Sequence, residues 1–85
     1  MNKGSKEQRV TSASQASELF RQRRKAKGLS QAELAAKLGV SQARLSAIEN
    51  DMTGLTLERL ISLTNLLDLE VVIRDRVLKK PAAGW

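Results

Sequence analysis

The polar side chains of this chain that could do chemistry gather in one stretch, Ser30 to Asn50, which reads SQAELAAKLGVSQARLSAIEN. Helical spacing puts Leu34, Leu38, Val40, Leu45 and Ile48 on a buried side and turns Gln31, Gln42, Ala43, Arg44, Ser46, Ala47 and Asn50 elsewhere. Amides, hydroxyls and a guanidinium form hydrogen bonds; grouped in this way they recognise a partner. The rest of the composition agrees. The chain has no Cys and no His, so disulfides and thiolate chemistry are absent and a zinc site is not expected. A Ser-His-Asp triad or a His general base is ruled out. The expectation is a non-enzymatic binding protein, with no metal, no cofactor and no small-molecule substrate.

These side chains need two short helices and a sharp turn to position them. Ser30 is a good N-cap with Glu33 three residues on, the capping-box spacing, and Leu29 and Leu34 form the accompanying hydrophobic staple. Ser41 repeats the device, with Val40 and Leu45 as its staple. Between them Gly39 stands where a helix end takes a left-handed residue, and Ala35 is small enough to let the helices cross closely. This is a helix-turn-helix, whose second helix can enter a DNA major groove.

The flanks complete a small domain. Residues 1–27 hold eight cations against Glu7 and Glu18, which accounts for the whole formal charge of +6. A basic flank suits phosphate contact, and it is equally what a solvated charge run looks like. Residues 1–11 read as a flexible basic arm. A first helix is expected from Ala13 to Lys27, capped by Ser12 and Gln15 and ended by Gly28, with Phe20 in the core. Its last turns carry Arg23, Arg24, Lys25 and Lys27, which complement the helix dipole, contact phosphate, or do both. After the helix-turn-helix, Thr56 caps a fourth helix whose apolar face (Leu57, Leu60, Ile61, Leu63, Thr64, Leu67) is wider than a surface helix needs.

Residues 69–74, LEVVIR, then read as a strand with no second strand in the chain. The economical partner is the same strand of a second copy, formed through Leu69, Val71, Val72 and Ile73. Residues 12–68 are thus the DNA-binding domain, 69–74 a dimerising strand and 75–85 a flexible tail. The fold expected is an all-α helix-turn-helix domain of four to five helices, which resembles the lambda repressor's, with one C-terminal strand pairing across a homodimer. Two copies would set two recognition helices about one turn of DNA apart, matching a palindromic site. The single Trp, Trp85, stands in the tail, either as an incidental exposed residue or as an anchor for a partner pocket. With no stretch of about 18 apolar residues and no apolar leader, the chain is expected in the cytoplasm, associated with the nucleoid.

The run GLSQAELAAKLGVSQARLSAIEN, with a basic helix before it and a leucine-rich helix after, resembles the Xre/Cro class of helix-turn-helix repressors over residues 14–67. The strand after the fourth helix and the tail ending in Trp resemble the HipB-type antitoxins. That resemblance implies a homodimeric, sequence-specific repressor of its own operon that also binds a HipA-type serine/threonine kinase toxin. It implies that Gln42 leads base reading, its amide suited to adenine, beside Ser41, Ala43 and Ser46. Gln31 matches a residue touching a backbone phosphate, where a helix N-terminus already favours an anion. Arg44 is expected at phosphate, as are the first-helix cations Arg23 and Lys27. Arg24 and Glu49 match a family ion pair joining the first helix to the third. Two other readings remain: a stand-alone Xre-type regulator with no toxin partner, and an interaction adaptor that has lost DNA, against which Gln31, Gln42 and the cationic first helix speak.

Overall fold

The computed structural model describes residues 7–77. Within them the chain forms four α-helices: α1 (Ala13–Ala26), α2 (Gln31–Leu38), α3 (Gln42–Asn50) and α4 (Leu57–Leu66). Each begins on a side-chain cap. The hydroxyls of Ser12, Ser30, Ser41 and Thr56 accept from the main-chain N–H of Gln15, Glu33, Arg44 and Arg59, all at 3.0–3.1 Å, satisfying donors that the first helical turn leaves open. At α2 the box closes reciprocally, with Glu33 Oε1 accepting from Ser30 N at 2.8 Å. At α1 only the Ser12 half forms. Gln15 instead ties down the preceding segment, accepting from Thr11 N at 2.9 Å and donating to the Arg9 carbonyl at 2.7 Å.

Three of the four helix ends repeat one device, and α3 instead runs into extended backbone at Asp51. Gly28 and Gly39 take positive φ, 74° and 83°, and the next residue donates back into the helix: Leu29 N to Arg24 O at 3.1 Å, Val40 N to Ala35 O at 3.0 Å. That is the Schellman geometry, which glycine enters without Cβ strain. α4 ends in the same way without glycine. Asp68 has φ 58°, and Leu69 N donates to Thr64 O at 2.9 Å.

The core is built from Phe20 of α1, Leu34, Ala35 and Leu38 of α2, Leu45 and Ile48 of α3, Met52 of the following loop, and Leu63 and Leu67 at α4. α3 packs on both α1 and α2, and α4 packs on α2. Ala35 is 2 % exposed, so the small residue stands inside the packed core. Val40 is half-buried at the edge of the core, short of the full burial expected. The wide apolar face of α4 is only partly used: Leu63, Thr64 and Leu67 turn inward, while Leu57 and Ile61 remain exposed.

No β-strand forms among the described residues. Residues 69–74, expected as a strand, follow α4 without regular secondary structure. Leu69 packs against the core, whereas Val71, Val72 and Ile73 face solvent, Ile73 at 95 % exposure. A strand exists through its hydrogen-bonded ladder, and the described residues offer this segment no second strand. The segment runs beside the N-terminal one, with Arg74 paired to Glu7 at 2.9 Å. The roles expected of Trp85 and of most of the basic arm and tail fall outside the described residues. No helix of the described part is long and apolar enough to cross a membrane.

Candidate nucleic-acid interface

α3 is two-sided. Leu45, Ile48 and Glu49 are buried against α1 and α2, and Gln42, Ala43, Arg44, Ala47 and Asn50 are exposed, with Ser46 half-buried between them. Gln42, Ser46 and Asn50 recur every four residues and so share a face. Beside that row the exposed Ala43 and Ala47 are small, which lets the helix backbone come close to a partner there. Ser41 accepts the Arg44 N–H as the cap, and its hydroxyl proton stays available as a donor. Among the described residues Gln42 and the Arg44 guanidinium make no side-chain hydrogen bond.

A buried network behind α3 fixes its position. Arg24 Nε donates to Glu49 Oε2 at 2.7 Å and Arg24 Nη2 to Glu49 Oε1 at 3.1 Å. The two side chains are 8 % and 4 % exposed. Arg24 Nη1 also donates to the Leu29 carbonyl in the turn before α2, at 2.8 Å. One guanidinium therefore joins α1, the α1–α2 turn and the end of α3, in the fork geometry that suits Arg to carboxylates. Burial pushes the Glu49 carboxyl up, but the hydrogen bonds from Arg24 and Gln31 and the Arg24 charge together outweigh it and hold the group below its ordinary range. It stays ionised and paired.

Gln31, the first residue of α2, is half-buried, and its Nε2 donates to Glu49 Oε1 at 3.0 Å. Helical spacing sets Gln31 on the outer surface, with no link to the ion pair. Nothing in the spacing signals a bond across 18 positions.

The first-helix cations are distributed differently. Arg23 Nε donates to the Leu67 carbonyl at 2.9 Å and Lys27 pairs with the Asp68 carboxylate. Arg23 thus closes the end of α4, where carbonyls lack helical partners, and Lys27 makes an ion pair just beyond it. A phosphate contact by either would compete with these bonds. Arg59 does the same work for α2, with Nη1 donating to the Leu38 carbonyl at 3.0 Å. No spacing in the sequence signals this bond, which spans 21 positions.

A family model described as helix-turn-helix matches residues 20–73. The chain belongs to the helix-turn-helix family. It is of the Xre class and HipB-like, as solved structures of similar fold bear out. A chain of the HipA-HipB-O2-O3 complex is 30 % identical, with TM-score 0.72, over 81 % of this chain and 97 % of its own length. A chain of a HipB-O1-O2 complex gives the same identity and score and is covered completely. A HipB serine-to-alanine variant in complex with an O2 20mer is 31 % identical, with TM-score 0.73, over 82 % of this chain. No curated protein matches the chain in sequence. The family supplies a DNA-binding fold for the exposed face of α3 described above.

Proposed function

We propose that this helix-turn-helix protein is a sequence-specific transcriptional repressor that binds a palindromic operator as a homodimer and acts as a HipB-type antitoxin toward a HipA-type serine/threonine kinase. The observation that carries the reading is the outward row on α3, exposed Gln42 and Ala43 with half-buried Ser46 below the Ser41 cap, set on a rigid frame in a HipB-like chain. Gln42 reads a base edge through its amide. Ser41 and Ser46 add hydroxyl contacts, and Ala43 a methyl contact. Gln31 and Arg44 meet phosphates. Arg23 and Lys27, engaged at α4, add positive potential near the backbone.

The dimer forms through residues 69–74. Val71, Val72 and Ile73 are exposed apolar residues following a helix whose Leu57 and Ile61 are also uncovered, a surface that a second copy would bury. Such a pairing completes the ladder that the described residues of one copy lack. Trp85 is the anchor for the kinase partner.

Co-purification of the full-length and Trp85-deleted chains with the product of the adjacent gene tests this. Capture of a kinase by the full-length chain, reduced by the deletion, is expected. Operator binding by a dimer that captures nothing would leave a stand-alone Xre-type regulator. A monomer at micromolar concentration would remove the strand pairing.

A further inference from the structure

We propose that Glu49 is a positioning residue for DNA-backbone contact, holding the Gln31 side-chain amide in place for a phosphate at the start of α2. The proposal rests on the reading of Gln31 as a backbone contact. Glu49 is 4 % exposed and does not reach DNA itself. Its Oε1 accepts at once from Arg24 Nη2 and Gln31 Nε2, at 3.1 and 3.0 Å, while Oε2 accepts from Arg24 Nε at 2.7 Å. A Gln side-chain nitrogen carries two N–H groups. With one on Glu49 and the amide planar, the second has a fixed direction from a half-buried side chain at the helix start. The anchor is itself immobile, because Arg24 is bonded to α1's neighbouring turn at Leu29 as well as to Glu49. The link therefore makes the backbone contact and the base-reading helix parts of one unit.

The sign of the effect separates this role from simple charge. Removing an anion near DNA raises affinity on electrostatic grounds. Glu49→Gln is expected to lower it, because a Gln offers one acceptor oxygen where the carboxylate offers two and its NH2 faces another donor.

The test uses the full chain and a duplex obtained by in vitro selection with the wild-type protein, carrying single neutral methylphosphonates in turn. In the wild type, one position per half-site is expected to weaken binding about three- to tenfold, the scale of one hydrogen bond. That penalty should vanish in Gln31→Ala and in Glu49→Gln alike, with the double variant no worse than either single one. Full sensitivity at that phosphate in Glu49→Gln, or tighter binding by it, overturns the proposal; so does a wild-type profile in Gln31→Ala. Failure to enrich any duplex overturns the DNA-binding reading itself, which sets the two failures apart. Should Glu49→Gln not fold, side-chain 15N relaxation of Gln31 in the free wild-type protein decides. An order parameter like that of rigid backbone, about 0.85, is expected, and one below about 0.6 overturns the proposal.

Discussion

Arg59 Nη1 donates to the main-chain oxygen of Leu38 at 3.0 Å, so a side chain at the start of α4 closes the end of α2. Arg59→Ala should leave that carbonyl without a protein partner and cost about 1.5 kcal/mol, the low end for a charge-assisted bond because Arg59 is only half-buried. Urea denaturation measures it; an unchanged midpoint with an unchanged slope would show that water replaces the guanidinium freely.

Gln42→Ala should weaken binding to an operator duplex by about 1–3 kcal/mol while leaving random duplex nearly untouched, as for a lost bidentate base contact. Competition titration at fixed salt reads the ratio. Equal loss on both duplexes would move Gln42 from base reading to backbone contact.

Acid should destabilise the fold through a narrow window. The Glu49 carboxyl is held below its ordinary value of 4.5 in the folded chain, so the unfolded chain takes up the proton first as pH falls. The stabilisation is complete above 4.5 and is lost as pH drops through the lower, native value. The exposed carboxylates of Glu33, Asp51 and Asp68, lowered by hydrogen bonds from Ser30, Thr53 and Lys27, act in the same direction. With no His in the chain, no ordinary side chain titrates between about pH 5 and 8. Calorimetry should therefore show a flat Tm across that range and a fall below it. A midpoint that rises on acidification would contradict the sign.

Ser17 is 3 % exposed, and its Oγ has no hydrogen-bond partner among the described residues. Ser17→Ala removes that unmet group inside a helix and should stabilise the fold by about 1 kcal/mol, or about 4–8 °C in Tm for a domain of this size. A lower Tm would reveal a bond made in solution.

Two left-handed helix ends with different residues offer a matched pair. A Cβ at Gly39 meets nothing within 4 Å, so Gly39→Ala isolates the cost of φ 83°, about 1 kcal/mol. Asp68 already bears that strain at φ 58°, and Asp68→Gly should relieve it and lose only an exposed ion pair to Lys27. Net stabilisation of a few tenths of a kcal/mol is expected, and chemical denaturation of both variants checks the opposite signs.

What could be read in the chain was local. Ser12, Ser30, Ser41 and Thr56 announce the helix starts and Gly28 and Gly39 two of the ends, because caps and turns act over three or four residues. The bonds from Arg23 to Leu67, Arg59 to Leu38 and Gln31 to Glu49 span 44, 21 and 18 positions and follow no spacing rule. They exist because helices that meet side by side expose carbonyls and carboxylates to whichever long side chain lies opposite. The segment after α4 illustrates another limit. Val71, Val72 and Ile73 favour a strand by composition, yet a strand needs a neighbour, and the described residues do not contain one.

The ties at Ser41, Arg24 and Glu49 also bear on where selectivity arises. If α3 is the reading helix, as proposed, then capped at its start and bolted at its end it meets DNA already ordered, so little conformational entropy is lost on docking. Discrimination then comes from the differing edges of base pairs and from how readily a duplex deforms, not from which sequence can induce the helix to fold. In calorimetric terms, the heat-capacity change on binding should track the surface buried at the interface alone, without the added signature of a folding segment.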